Sequence, residues 1–542
     1  MESAAGQSCS PVPGQPDIRP AVFAAREQAR VSAPGIRLRR WFLPDLALAV
    51  SALSLFYCLF IYDGVRRLFR DSDSGWHIRN GEAILRGFEL PRADPYSFSR
   101  GGEPWFAWEW GADVAMGAAH RRAGLAGVAL LYAAAIASAT WLWFRLHWAA
   151  GGNFLLACLL ASPMLSTVNL HWLARPHVFG WLFLLAAVWY AETHAPCGPP
   201  LSHLPWIAAF AALWANFHAS FFLAPVVALV YAGSALLRPL IWDSAAGSGR
   251  RAAGCMLLAA AAGGLGSLLN PYGWELHRHV AAYLASGELL ARIGEFQSFN
   301  FHADGAVPIL LTLAVAAGGA VLALGQGRLA QALLAGLLLA GAMRSARGLP
   351  VAALVLLPLA NGAITEALRT WRGLRPRLRR GLDACLAYSD RLRALDAGLG
   401  GVALAPVFPL LAYAALHSPP VAARTGFPPE EFPVAAAAAV EKLPGEARLL
   451  APDKYGGYLI YRFNGRRKVF FDGRSDFYGS DFMKRYIRLM EVRPGWREQV
   501  DALAFSHALL PNDYSLVAAL ESAGWKRIHR DGTATLLERG KR

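Results

Sequence analysis

The chain of 542 residues is 55% hydrophobic and only 17% charged, against about 25% charged in soluble domains. So large an apolar excess cannot be hidden in one core and must meet lipid; disorder, collagen, coiled coil and a small disulfide scaffold are excluded. The net charge of +15, from 53 Lys+Arg and 38 Asp+Glu, reads as basic residues flanking membrane spans rather than as a nucleic-acid surface.

Residues 1–41 are rich in Pro, Ala, Gly and Arg. They lack an apolar run near the start and read as a flexible cytoplasmic tail, not a cleaved signal. The first span is expected at 42–62, with Arg37, Arg39 and Arg40 holding the N-terminus inside. Further apolar runs at 124–144, 153–169, 177–191, 205–217, 220–240, 252–269, 306–324, 329–343, 348–364 and 401–417 bring the total to about eleven. An odd number leaves the C-terminus outside. Arg238, Arg250 and Arg251, and the arginines from Arg369 to Arg393, then fall on the inside, in agreement with the start. The cysteines Cys9, Cys58, Cys158, Cys197, Cys255 and Cys385 have no metal-ligand spacing.

Two polar segments lie outside, a first loop at 63–123 and a tail at 418–542. The first loop reads DSDSGWHIRNGEAILRGFELPRADPYSFSRGGEPWFAWEWGAD. It offers Asp71, Asp73, His77, Arg79, Glu82, Asp94 and Glu109 among Trp76, Trp105, Trp108 and Trp110. The spacing over 76–85 predicts a helix lying on the membrane interface with its tryptophan at headgroup depth. One of Asp71 and Asp73 serves as well as a helix cap. Two acids beside a span end exceed that need, and such an acid acts as a general base or a metal ligand. Asp94-Pro95 reads equally as a turn, and Glu109 as a helix surface residue.

Four more polar clusters sit at span ends on the same side. They bring His171, Arg175 and His177; Asn216 and His218; Asn270, Tyr272, His277 and His279; and Arg344 and Arg347. Each alone has a plain explanation: Arg175 snorkels, and Asn270-Pro271 ends one helix and begins the next. Their shared sidedness points to one site, because ionisable groups at membrane depth are costly. Arginine forks at Arg175, Arg344 or Arg347 suit a phosphate, and a neighbouring carboxylate suits deprotonation of a hydroxyl. A lipid-binding transporter needs similar parts. No P-loop, HExxH or GxSxG competes.

The tail reads as an α/β domain of mostly parallel sheet, large enough for its own core. An apolar helix is expected at 433–442, strands in ARLLAPDKYGGYLIYRF and RKVFFDG, a helix at 479–494, a strand at 505–510, a helix at 514–523 and a hairpin around Asp531-Gly532. Asp472, Arg474 and Asp476 follow an apolar strand, so that loop is expected to face the outer cavity and help hold an acceptor. Gly456-Gly457 and Asp472-Gly473 serve equally as plain turns.

The motifs DSDSGWHIRNGEAIL, PRADPYSFS, WANFHASF, NPYGW, RSARG, YGGYLIY and VFFDGRSDFYG together resemble a group of bacterial multispanning proteins in or near the GT-C superfamily of membrane glycosyltransferases. The resemblance covers most of the chain from about residue 42. It implies a polytopic α-helical membrane protein of about 11 transmembrane helices, set in the inner (plasma) membrane, with a C-terminal extracytoplasmic α/β domain. It implies a first-loop acid as catalytic base, a polyprenyl-phosphate-linked sugar as donor and an exterior active site. Asp73 is the nearest match to that acid and Asp71 the other candidate; the donor phosphate falls to Arg175, His177, Arg344 and Arg347. The two acids are separated by Ser72, and no second-loop acid is matched. The metal therefore stays unknown, with a divalent cation left open. The alternatives are a non-catalytic binder or transporter of lipid-linked glycan, an envelope-assembly scaffold, or a membrane anchor for the tail.

Overall fold

The computed structural model describes residues 34–242 and 246–540. Most of the expected cytoplasmic tail, residues 1–33, lies outside the described residues. Each of the eleven apolar runs falls on a helix. Among the described residues, six helices are long and apolar enough to cross a membrane: Leu38–Phe60, Trp110–Ala149, Phe154–His171, Ala219–Trp242, Ala306–Gly325 and Gly348–Thr370. The chain is a multi-pass membrane protein. The others fall short in length or composition; Leu204–Phe217, with 14 residues, reaches about 21 Å against a hydrocarbon core of about 30 Å. Leucines such as Leu159 and Leu240 stand exposed on the bundle surface, where in water they would be costly and in lipid they are not.

The starts and breaks of these helices follow local chemistry. Asp45 caps Leu46–Phe60 by accepting from the Leu48 amide at 2.8 Å, and Asn153 caps Phe154–Val168 through the Leu156 amide at 3.0 Å. Trp110–Ala149 breaks at Ala123 and Gly124, where Gly124 takes φ +58°. That break separates a first-loop part from the apolar run expected from residue 124.

The first-loop helix, Asp73–Gly87, does not lie on a surface. Trp76 is 6% exposed; its ring lies 3.6 Å from that of His77 and meets Trp105 edge-on at 6.0 Å. The expected interfacial tryptophan is instead buried in the main core, against His77 and Trp105.

The tail holds a four-stranded sheet in the order β1-β2-β4-β3, with β1 Leu449–Leu450, β2 His507–Pro511, β3 Lys526–Arg530 and β4 Ala534–Glu538. Only the β1–β2 pair is parallel; β2–β4 and the β3–β4 hairpin are antiparallel. The expected mostly parallel sheet is therefore mixed, because the hairpin around Asp531-Gly532 supplies half its strands. Between Pro433 and Lys442 only Ala437–Glu441 is helical.

DKYGGYLIYR forms a helix, Asp453–Arg462, not a strand. Tyr455, Tyr458 and Leu459 share one buried face at helical spacing, and Asp453 places a negative charge in the first turn. Its glycines mark close approach rather than a turn. A Cβ on Gly457 would lie 2.1 Å from the Ser72 carbonyl oxygen, and one on Gly75 would lie 2.2 Å from that of Gly457, so the two helices touch backbone to backbone. The segment before Asp472 bridges to the first loop, Ser97 beside Val469, instead of joining the sheet. Ion pairs extend the contact: Arg79 meets Glu82 at 2.6 Å and the Tyr461 carbonyl at 2.8 Å, and His120 links Glu82 at 2.6 Å to the Tyr461 hydroxyl at 3.0 Å. The tail keeps one core of its own around Phe471, Phe482 and Leu510; Tyr455, Tyr458 and Leu459 join the main core with Trp76.

Candidate functional site

Asp71 and Asp73 open the first-loop helix. Asp71 Oδ1 accepts from the Asp73 amide at 2.9 Å, the capping use considered for it, while its other oxygen is left for a second partner. That partner is Arg175, in the loop after Phe154–Val168. The loop is anchored by the Ala174 amide on the Leu68 carbonyl at 2.8 Å and by the Ser74 hydroxyl on the Ala174 carbonyl at 3.0 Å. Arg175 donates to Asp71 Oδ2 at 2.7 Å, to Asp73 Oδ2 at 2.9 Å and to Glu295 Oε1 at 3.1 Å. Arg347 donates to Glu295 Oε2 at 2.6 Å. The tight turn that carries Glu295, Gly294–Phe296, is tied to RSARG by the Ala346 amide on the Gln297 carbonyl at 2.9 Å and the Ser345 hydroxyl on the Glu295 carbonyl at 2.9 Å.

Burial pushes the Asp73 carboxyl up to about 7, against the pull of Arg175. Burial also raises Glu295, but Arg175 and Arg347 outweigh it and hold that carboxyl below its ordinary range. The centre thus combines a firmly ionised acid with one that titrates near neutrality.

The divalent cation left open by the sequence does not fit this donor set. Arg175 already occupies an oxygen of Asp71, of Asp73 and of Glu295. The Asp73 amide and Arg347 take further oxygens of Asp71 and Glu295, and Asp73 Oδ1 packs against Gly473, where a Cβ would lie 1.9 Å away. A guanidinium stands where the carboxylates converge. No group of three or more His, Cys, Asp or Glu among the described residues has ligand geometry.

A second polar chain lies beside this centre. Asp113 meets His77 Nδ1 at 2.5 Å and accepts from Asn80 at 2.6 Å. Glu109 lies 3.9 Å from His77 Nε2 and 3.7 Å from His218 Nε2. Burial and then the charge of Asp113 raise Glu109 to about 8. Burial, reinforced by Arg175, holds His77 well below its ordinary value and so neutral.

Asp472 and Arg474 do not face a cavity, contrary to expectation. They are 0% and 2% exposed. Arg474 grips Asp472 at 2.8 and 2.7 Å, meets Asp94 at 2.8 Å and lies over the Trp105 ring at 4.6 Å. Asp94 also accepts from the amides of Tyr96 and Ser97, so it is both the turn residue considered for it and half of a clasp. Neighbouring Asp476 pairs with His279 at 3.1 Å and lines a cavity of about 440 Å³ together with Tyr272 and Trp105.

The remaining candidates have plainer surroundings. His177 Nε2 bonds to the His171 carbonyl at 2.9 Å, beside Arg175 but not in its ion-pair set. Asn216 accepts from Trp110 at 2.7 Å and donates to the Ala212 and Leu269 carbonyls, a structural tie. The Tyr272 hydroxyl accepts from the Ala107 amide at 3.1 Å. Arg344 is exposed and makes no hydrogen bond or ion pair among the described residues. Sequence reasoning missed Glu295 and Asp113. A lone acid in the apolar approach to a helix was the available signal for Asp113; Glu295, between a glycine and a phenylalanine, offered little.

The helical membrane bundle with its folded tail has a counterpart among solved structures. The archaeal oligosaccharyltransferase AglB from Archaeoglobus fulgidus, solved with an inhibitory peptide and a dolichol-phosphate, matches with a TM-score of 0.53 at 12% identity, over 86% of this chain and 69% of that one. The same organism's enzyme tethered to an acceptor peptide gives 0.48 at 14% identity, over 86% and 68%. At such identities the likeness shows the fold alone. No family model matches the chain, and no curated protein matches it in sequence.

Proposed function

We propose that the protein transfers a sugar or glycan from a polyprenyl-phosphate-linked donor to an acceptor at the outer face of a bacterial plasma membrane, with Asp73 as base. In this reading the chain spans the bilayer about eleven times, with its N-terminus inside and its tail outside. The observation that carries it is the convergence of Asp71, Asp73 and Glu295 on Arg175 and Arg347 in the fold of a transferase solved with dolichol-phosphate.

The ground-state pairing has a mechanistic use. A donor phosphate competes with the carboxylates for the Arg175 fork. As Arg175 turns to the phosphate, Asp73 loses its counter-charge and becomes the stronger base. Asp73 takes the proton of the acceptor group while the acceptor atom bonds to the anomeric carbon. The bond from that carbon to the phosphate oxygen breaks, and its electron pair leaves with polyprenyl phosphate, whose charge Arg175 and Arg347 hold. The ion pairing of Asp73 in the structure also suits a protein that binds a lipid-linked glycan without turning it over.

The test is transfer from a defined polyprenyl-phosphate sugar by the purified protein in nanodiscs. Asp73→Asn should lower turnover by about 10²–10⁴-fold while donor binding persists, and Arg175→Ala should weaken donor binding. Donor binding without turnover in the wild type favours the binder. Neither binding nor turnover ends the proposal.

A further inference from the structure

We infer that the cavity between the first loop, the Pro271–His279 stretch and the tail is a carbohydrate subsite, holding a pyranose unit of the acceptor. Its volume of about 440 Å³ lies within the range of small-molecule sites, about 300–1,000 Å³. One wall is a stack of flat rings: Phe106 lies 3.9 Å from Tyr272 and 4.7 Å from His279, nearly parallel to the latter at 9°. Trp105 and Phe477 complete the aromatic lining. The negative face of an aromatic ring attracts the weakly positive C–H groups on one face of a sugar ring.

The polar groups are few and placed at the edge of that stack. His279 Nε2 pairs with Asp476 Oδ2 at 3.1 Å. Asp476 Oδ1, His279 Nδ1 and the Arg92 guanidinium make no hydrogen bond among the described residues and line the same space. Planar acceptors and donors beside aromatic faces match the hydroxyl pattern of a saccharide. A lipid tail would leave the free Asp476 oxygen unsatisfied. A peptide bound by strand addition would need a free strand edge, and no strand of the tail sheet lines the cavity.

The cavity also adjoins the charged centre. His279 packs edge-on against Trp108 at 4.9 Å, next to Glu109, whose ionisation responds to both Asp476 and Arg175. A sugar seated there is held within a few side chains of the acids. The assignment of this sugar as acceptor rests on the transfer reading; its binding does not.

The experiment uses the full chain in nanodiscs free of glycoside detergents, with cellobiose and N,N′-diacetylchitobiose as probes. Saturation-transfer NMR and tryptophan fluorescence should show saturable binding of at least one, with contact on a single ring face. Phe477→Ala and the exposed Arg92→Ala should each weaken it by about tenfold, Arg92→Ala at unchanged melting temperature and Phe477→Ala at a lower one, because Phe477 also packs against the core. No saturable binding of either disaccharide overturns the inference. So does binding indifferent to both variants, or displacement by an equal concentration of an alanine-rich hexapeptide. Because no lipid-linked donor is present, the subsite fails or stands separately from the transfer reaction.

Discussion

Replacing Arg474 by alanine removes the cation that Asp472 and Asp94 share. Asp472 and Asp94 are 0% and 4% exposed, and both are pinned. The Tyr478 hydroxyl donates to Asp472 at 3.0 Å, and the Ser97 hydroxyl and amide donate to Asp94 at 2.5 and 2.9 Å. Neither acid can swing to water without breaking those bonds. An uncompensated buried charge of this kind costs about 3–5 kcal/mol, which raises the population with the tail undocked by about 10²–10⁴-fold. Amide exchange in Asp453–Arg462, read by mass spectrometry, reports that population directly. The companion variant joins Arg474→Met with Asp472→Asn and Asp94→Asn. It removes the charges together and should recover most of the loss, because a satisfied neutral core need not be weaker than a buried ion pair. Exchange in Arg474→Ala within about 0.5 kcal/mol of wild type, or no recovery in the triple variant, would refute the clasp.

Three further expectations rest on contacts already described. Chelation by EDTA should leave the wild-type melting temperature unchanged, while Arg175→Ala, which bares oxygens on three acids, should acquire a Mn²⁺-dependent upward shift; Mn²⁺ stabilisation of the wild type contradicts the guanidinium-filled centre. Gly473→Ala places a Cβ 1.9 Å from Asp73 Oδ1 and should cost about 1–3 kcal/mol, whereas Gly445→Ala, which meets nothing within 4 Å, should be silent; equal melting curves dismiss the close approach. Although burial opposes it, hydrogen bonds from His120 and Arg79 lower Glu82 to about 2 from 4.5. Its stabilising contribution is therefore full above pH 4.5 and fades as the pH falls towards 2. Glu82→Gln should flatten that acid limb of the melting temperature, and an unchanged limb places the acid sensitivity elsewhere.

Local pattern made much of the molecule legible in the sequence. Apolar runs marked the helices because lipid imposes no alternation, and Gly124 marked a real break. Asp531-Gly532 marked the β3–β4 hairpin, where Asp531 Oδ1 accepts from the Thr533 and Ala534 amides at 2.8 Å. Asp71, Asp73, Arg175 and Arg347 were found by charge at the ends of apolar runs, and the structure brings them together. Long-range packing hid the rest. The glycine pair at 456–457 looked like a turn because the sequence does not show that a helix start presses on it. Arg474 looked like an exposed loop residue because Asp94, its partner, lies some 380 positions earlier. Glu295 gave no signal, since its meaning comes only from the two arginines it joins.

The contact of Gly457 with the Ser72 backbone, and of Gly473 with the Asp73 carboxylate, fixes the order in which the charged centre can be enclosed. A ribosome delivers the first loop before the tail. Until residues beyond 450 arrive, Asp94 lacks its cation and Asp73 lacks the Gly473 backbone packed against it. The charged centre of Asp71, Asp73 and Arg175 is thus enclosed only by residues beyond 450. Without them the first-loop acids would lack that cover.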